Sequence, residues 1–248
     1  MSSDLGLVVG SGLAALGPEI VASEPVQTPF GAPSSPLLTV QIGNHRIACI
    51  ARHGVEHRIP PHRVNYRANV RALHAAGVTR LIGVNLVGAI AAGFEPGTLA
   101  APEQLIDYTA GREATFDEGD DLATRHVDFT VPFDPILSGA IAAAAADGGH
   151  SVRRGVYGVT QGPRLETAAE IDRLERDGCT MVGMTAMPEA VLARELGIDY
   201  AVLAVAVNYA AGRSPGAASI HAEIEQSLSA GMARVTEILS RLVPQLLV

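Results

Sequence analysis

YAVLAVAVN, residues 200–208, decides the fold class, because it is apolar at almost every position. A strand with one face in solvent alternates apolar and polar side chains, whereas a strand covered on both faces has no such alternation. We therefore predict that these residues form a buried strand of a parallel or mixed sheet, with helices against both of its faces.

Further apolar runs have the same character, and each gives way to residues with helical spacing. One example is RLIGVN, which leads into LVGAIAAG (86–93), so we expect a helix after residue 85. Runs of strand followed by helix are typical of an α/β protein. The runs are LGLVVG (5–10), RLIGVN (80–85), GVYGVTQG (155–162) and TMVGMT (180–185).

The predicted helices have recognisable ends. Residues 164–177 predict a helix that stops before Gly178, Pro188 suits the first turn of the next helix, and Gly197 closes that helix. We find no internal repeat and no linker-like stretch, so we expect one α/β domain over residues 1–248. The last helix has an apolar stripe at 3.6-residue spacing: Ile224, Leu228, Met232, Val235, Leu239 and Leu242.

Composition narrows the class of protein. The chain has 248 residues, of which 48% are apolar and 18% charged, and a formal net charge of −8, which argues against nucleic acid as a partner. Cys49 and Cys179 stand beside apolar residues and are expected to be buried free thiols. The amino-terminal residues lack a secretory pattern, and the alanine run 142–146 is too short to span a membrane. We expect a cytoplasmic protein with no membrane partner.

RHGVEHRIPPHR, residues 52–63, gathers three arginines and three histidines in this acidic chain. Arg52 and His53 follow IACIA (47–51), a predicted strand, so the arginine can fork onto a phosphate while the histidine donates one further bond. A solvated basic turn remains a competing interpretation, above all for Arg58 and Arg63.

The same stretch could also hold a metal ion through His53, His57 and His62. Two prolines and a predicted loop prevent these histidines from sharing one helical face, so a metal site is disfavoured against an anion site.

In open α/β sheets the ligand lies beyond the carboxyl ends of the strands. GSG, residues 10–12, occupies such a place, although it is equally compatible with a tight strand–helix turn. Glu166 and Asn208 offer an acceptor and an amide, which suits a heterocycle with both N–H and C=O groups; alternatively they are a helix-start carboxylate and a turn residue. Met184 either gives that ring a soft face or belongs to the core.

Taken together, the motifs identify a resemblance. The chain resembles the trimeric purine nucleoside phosphorylase and methylthioadenosine phosphorylase family over essentially its whole length, and within it is similar to bacterial enzymes that act on S-methyl-5′-thioinosine. The motifs, in order, are GSGL, TPFGAPSSP, ARHGVEHRIPPHRVNYRAN, NLVGAI, QGPRLETAAEIDRLERDGCTMVGMTAMPEAVLARE and VNYAAG.

The resemblance implies a single α/β domain with a mixed, distorted central sheet flanked by helices. It also implies a homotrimer that uses inorganic phosphate as co-substrate, with no metal and no organic cofactor. The reaction that the resemblance implies is the phosphorolysis of a purine nucleoside, a step of purine salvage. Phosphate attacks C1′ of the ribose, and the purine leaves.

Residue roles follow from the same resemblance. It places phosphate against Ser11, Arg52, His53 and Thr185 and the backbone N–H groups around Leu86, and it makes Arg52, His53 and Asn208 the catalytic residues. The remaining roles are Met184 at the ribose, Glu166 and Asn208 at the base, His57, Ile220, His221 and Ile224 at the 5′ end, and His126 reaching into the neighbouring subunit's pocket.

Three positions at which this chain differs from the adenine-specific members of the family indicate which purine base it accepts. Those members carry aspartates where Asn208 and Ala210 stand and usually a serine in place of Glu166, so a 6-oxopurine is expected here. The leading expectation is cleavage of S-methyl-5′-thioinosine to purine and 5-methylthioribose 1-phosphate. Alternatives are a methylthioadenosine phosphorylase, an inosine or guanosine phosphorylase, a nucleoside hydrolase, or a non-enzymatic anion- or nucleoside-binding protein, which only the bulk of Leu86 favours.

Overall fold

The buried strand predicted from YAVLAVAVN lies at the centre of the fold. The structure, a computed structural model, describes residues 4–119, 126–216 and 220–247. Residues 200–208 are all buried within one long strand, as predicted. The described strands are β1 (Leu5–Val9), β2 (Glu19–Glu24), β3 (Leu37–Ile42), β4 (His45–Ala51), β5 (Arg80–Ala89), β6 (Leu99–Ala100), β7 (Gln104–Asp107), β8 (Val152–Arg153), β9 (Val156–Val159), β10 (Met181–Gly183) and β11 (Asp199–Tyr209).

The sheet is mixed, which confirms the predicted fold class. Its main path runs β2-β3-β4-β1-β5-β10-β9-β7, while β11 pairs with β5 and continues to β6 and β8. The β1, β4, β5 and β11 ladders are parallel, and β10 runs antiparallel to β5. The helices are α1 (Leu13–Leu16), α2 (Tyr66–Ala75), α3 (Pro135–Asp147), α4 (Ala168–Arg176), α5 (Ala186–Glu195) and α6 (Ile220–Leu246).

Apolar side chains are packed against both faces of the sheet. Leu7 of β1 and Met232 of α6 belong to one buried cluster, whereas Val8 of β1 and Leu73 of α2 belong to another. Neighbouring residues of β1 therefore serve opposite core layers, which explains why the sequence of this strand does not alternate. The apolar stripe of α6 packs as predicted from Met232 onward, and Ile224 and Leu228 lie at its partly buried edge.

Two predictions on helix boundaries are wrong. No helix follows residue 85, because β5 continues to Ala89 and pairs with β11 along its whole length. Helix α4 begins at Ala168 rather than at residue 164, since Thr167 forms a capping box with Glu170. The later start leaves Glu166 outside the helix. The regular part of α5 starts at Pro188, because Met187 has non-helical dihedral angles, and Gly197 follows the helix with a φ of 68°, as expected.

Strand β5 is where the sheet divides. One edge of β5 pairs with β11, while the other edge pairs with β1 up to Val84 and with β10 from Gly88 onward. Between these ladders, the described strands leave Asn85–Val87 without a partner on this edge. On this edge the Val84 carbonyl accepts a hydrogen bond from the Gly10 N–H. Alternate residues of a strand direct their backbone groups to the same edge. The Leu86 N–H therefore points into the gap between the β1 and β10 ladders.

Both cysteines are buried and free, as predicted. Burial raises the pKa of the Cys49 thiol to about 12, so it remains protonated near neutral pH. Within the described residues, every helix is too short or too polar to cross a bilayer.

Candidate functional site

A cavity of about 570 Å³ opens beside the division in the sheet. The residues selected from sequence lie at its wall, apart from His126 and His221. His126 is exposed and is not among the cavity residues, and the side chain of His221 lies outside the described part of the chain. The predicted residues that line the cavity are Ser11, Arg52, His53, His57, Leu86, Glu166, Met184, Thr185, Asn208, Ile220 and Ile224.

Arg52 is held in a buried ion pair. Only 1% of it is exposed, and its Nε and Nη2 donate to the two carboxylate oxygens of Glu189 at 2.8 and 2.7 Å. Burial alone would lower the pKa of Arg52, but the charge and hydrogen bonds of Glu189 outweigh burial and raise the pKa, so the guanidinium stays charged. The Nε–Nη2 edge is therefore occupied, and the bidentate phosphate contact suggested by the sequence does not fit.

The nitrogen of Arg52 that remains beside the cavity is Nη1. It donates to the Val84 carbonyl at 3.2 Å, which leaves its second hydrogen. A Cβ on Gly10 would come within 2.9 Å of this nitrogen, so a glycine is required where the first glycine of GSG stands. Gly10 thus makes room for Arg52.

Asn85 connects Arg52 to the opposite wall. Its Oδ1 accepts from Arg52 Nη2 at 2.9 Å, and its Nδ2 lies 3.3 Å from both Thr185 Oγ1 and the Tyr157 hydroxyl. Because Thr185 accepts this bond, its own hydroxyl hydrogen can donate to a bound anion. The network fixes Arg52 and Thr185 relative to each other before any ligand arrives.

His53 is neutral and accepts hydrogen bonds on the cavity side. Its Nδ1 lies 2.7 Å from the carbonyl of Ile59, which can only accept, so Nδ1 carries the proton and Nε2 carries a lone pair. Burial, the charge of Arg52 and the proximity of His57 lower the pKa of His53 to about 4. In this tautomer His53 cannot donate to phosphate through Nε2, contrary to expectation. It can instead accept a hydrogen bond from a phosphate oxygen that carries a proton.

His57 lies at the Ser11 side of the cavity. Its Nε2 is 2.6 Å from Ser11 Oγ, and its ring centroid is 4.9 Å from that of His53. The structure thus joins His57, expected near the 5′ end, to a residue expected at phosphate. Arg58 is exposed and forms a surface pair with Glu56, as expected of a solvated turn, but it also borders the cavity.

Two polar side chains mark the end of the cavity at β9 and β11. Glu166 accepts from the Thr160 hydroxyl at 2.5 Å through Oε1, which leaves Oε2 for a further bond. Asn208 is 8% exposed, and its Nδ2 donates to the Tyr209 carbonyl at 2.7 Å with one of its two hydrogens. Glu223 accepts from the Tyr209 N–H at 2.9 Å and so ties this strand end to α6.

The wall made by α6 is apolar. Ile220, Ile224 and Leu228 face the cavity from the first turns of the helix, together with Val207 of β11. Among the described residues, no three His, Cys, Asp or Glu side chains converge as metal ligands would.

Sequence reasoning assigned no role to the side chains that hold the site together. Glu189, Asn85 and Tyr157 touch the predicted residues rather than a ligand, and Glu189 is separated from Arg52 by 137 positions. One signal for Glu189 was present, since it is an isolated charge in the apolar stretch AMPEAVL (186–192).

Comparisons with known proteins agree on one family. The family model described as "Phosphorylase superfamily" matches residues 4–244. A "Probable S-methyl-5′-thioinosine phosphorylase" of Xanthomonas campestris is 47% identical over 240 residues, which cover 96% of this chain and 96% of the relative. A "6-oxopurine nucleoside phosphorylase" of Pyrococcus furiosus is 39% identical, covering 97% of this chain and 92% of the relative.

A solved structure has the same fold. The methylthioadenosine phosphorylase of Schistosoma mansoni in complex with adenine superposes with a TM-score of 0.89 at 30% identity, covering 97% of this chain and 91% of that one. The likeness therefore extends from the sequence to the arrangement of the whole sheet.

Proposed function

The chain belongs to the phosphorylase superfamily, and we propose that it cleaves S-methyl-5′-thioinosine with inorganic phosphate, releasing the purine and 5-methylthioribose 1-phosphate. Its reaction class is the phosphorolysis of a purine nucleoside, a pentosyl transfer. In this proposal phosphate is the only co-substrate, and the enzyme is a cytoplasmic homotrimer that needs no metal.

The observation that carries the choice of base is the pairing of Glu166 with Asn208 in one cavity. A 6-oxopurine presents a protonated N1 and an acceptor O6. Oε2 of Glu166 matches the N1–H, and the second Nδ2 hydrogen of Asn208 matches O6 or N7. Adenine would place a lone pair at N1 against a carboxylate, which leaves a buried polar group unpaired.

The gap beside β5 supports the phosphate site. Ser11, Thr185, the Leu86 N–H and Nη1 of Arg52 supply donors, and His53 accepts from a protonated phosphate oxygen. A phosphate oxygen forms a bond to C1′ while the bond between C1′ and the purine breaks. The electron pair of that bond leaves with the purine, and Asn208 stabilises the negative charge that develops there.

The apolar start of α6 supports a methylthio group at the 5′ end. Ile220 and Ile224 offer no hydrogen-bond partner to a 5′-hydroxyl, whereas a thioether packs against them without an unpaired polar atom. His126, which is exposed and absent from this cavity, is free to serve the pocket of a neighbouring subunit.

A substrate panel tests the proposal. Release of free base would be measured for methylthioinosine, methylthioadenosine, inosine and adenosine, each with and without phosphate. We expect the highest kcat/KM for methylthioinosine and strict dependence on phosphate. Release of base without phosphate would indicate a hydrolase, faster cleavage of methylthioadenosine would contradict the role given to Glu166 and Asn208, and binding without turnover would indicate a binding protein.

A further inference from the structure

Arg112 joins two loops that are far apart in the sequence. Its Nη1 donates to the carbonyls of Met184 and Met187 at 2.8 and 2.6 Å. Its Nη2 donates to the Gln161 carbonyl at 2.8 Å, and its Nε lies 3.2 Å from the Gln161 side-chain oxygen. One guanidinium thus spans the loop after β9 and the turn between β10 and α5.

Each of these loops carries residues of the site. The two carbonyls on Nη1 flank Thr185, which faces the anion end of the cavity. Gln161 follows Thr160, whose hydroxyl holds Glu166 at the base end. A displacement of Arg112 would therefore shift residues at both the anion end and the base end of the cavity.

The planar guanidinium is required for this arrangement. Its five N–H groups point in fixed directions, so they can reach carbonyls on two sides, whereas a lysine ammonium concentrates its donors at one point. Among the described residues, Arg112 makes no ion pair with a carboxylate, and its donors go to loop oxygens and the Tyr66 hydroxyl. Surface charge pairing does not account for its place.

We propose that Arg112 is a positioning residue, which sets the Thr185 turn and the Glu166 loop at the spacing that phosphorolysis needs. This inference rests on the function proposed above. It assigns no contact between Arg112 and the substrate.

The test compares Arg112→Ala and Arg112→Lys with the wild type, using steady-state kinetics in phosphate and in the nucleoside that the panel selects. A displacement of about 1 Å in a site costs on the order of 100-fold, so we expect a fall in kcat/KM of that size for both substrates. Both KM values should rise together, and Lys should not rescue. Millimolar methylguanidinium should restore part of the activity of Arg112→Ala.

Arg67→Ala is the matched control. Arg67 is 17% exposed and forms ion pairs with Glu113 and Glu118, on the same connection as Arg112, but within the described chain it makes no hydrogen bond to either site loop. We expect a lower melting temperature with kinetic constants within twofold of the wild type.

The outcomes separate this inference from the proposed function. A folded Arg112→Lys or Arg112→Ala enzyme with wild-type constants would overturn the positioning role alone, as would an equal loss of kcat/KM in Arg67→Ala. A wild type that cleaves no nucleoside in the panel would overturn the proposed function and this inference with it.

Discussion

Replacing Glu189 by Gln should lower the stability of the protein and make that stability depend more strongly on phosphate. Glu189 is fully buried and is the carboxylate that pairs with Arg52 through two hydrogen bonds. Gln keeps the size and one acceptor but leaves the buried guanidinium without a counter-charge. Removing one partner of such a pair costs about 3 kcal/mol or more, which in a chain of this size lowers Tm by roughly 6–12 °C.

Phosphate should then stabilise the variant more than the wild type. In Glu189→Gln, a phosphate bound in the cavity would be the anion closest to Arg52. Phosphate binding therefore recovers part of the Coulomb energy that the substitution removes. A ligand that binds only the folded state raises stability with the ratio of its concentration to Kd. We therefore expect a larger rise in Tm per step of phosphate concentration in the variant, measured by differential scanning calorimetry.

Tyr200→Phe provides the control for this experiment. The Tyr200 hydroxyl donates to Glu189 Oε1 at 2.7 Å, so its removal takes away one hydrogen bond and leaves the ion pair intact. We expect a loss of about 1 kcal/mol and a response to phosphate like that of the wild type. A Glu189→Gln protein with the Tm and the phosphate response of the wild type would refute the dependence of Arg52 on Glu189.

Three further predictions follow from the same residues. Asn208→Asp should move the ratio of kcat/KM toward adenine nucleosides by about tenfold, because a carboxylate accepts from N6 and repels O6; an unchanged ratio in the panel would contradict the base assignment. Because the folded-state pKa of His53 is lowered to about 4, the unfolded chain binds more protons between pH 6.5 and 4, so stability should fall by about 3 kcal/mol as pH falls through that window. Urea titrations at pH 7, 5 and 4 would measure this loss, which should shrink in His53→Asn. If His126 serves a neighbour, mixed oligomers of His126→Ala and Asn208→Ala subunits should regain activity that neither parent has, and a fully active monomer in sedimentation would contradict it.

The sequence predicted the strands well where burial on both faces removed the alternation. It failed after residue 85, because LVGAIAAG is built of small and apolar residues that fit either a strand or a helix. Pairing decided the outcome: residues 86–89 lie beside Val205–Tyr209 of β11, a contact that no local pattern reports. That extension of β5 also creates the unpaired edge at Asn85–Val87, so the backbone N–H expected at Leu86 comes from a strand edge rather than from the start of a helix.

The side chains around the cavity could be found from the rule that ligands lie beyond strand ends, because most of them directly follow a strand. The charge states of these side chains could not be predicted from the sequence. Glu189 is remote from Arg52 in sequence, and the tautomer of His53 depends on the carbonyl of Ile59, whose position a turn determines. The basic stretch 52–63 therefore looks more cationic in sequence than it is in the folded protein.

This difference changes where the positive charge at the phosphate site comes from. Arg52 is balanced by Glu189 and His53 is neutral, so these three residues together bring no net charge to the anion. Arg112, behind the carbonyls that flank Thr185, has no ion-pair partner among the described residues. Arg112 therefore adds a positive charge behind the Thr185 turn, whereas the charge of Arg52 is offset by Glu189 and its main contribution is a fixed hydrogen-bond donor.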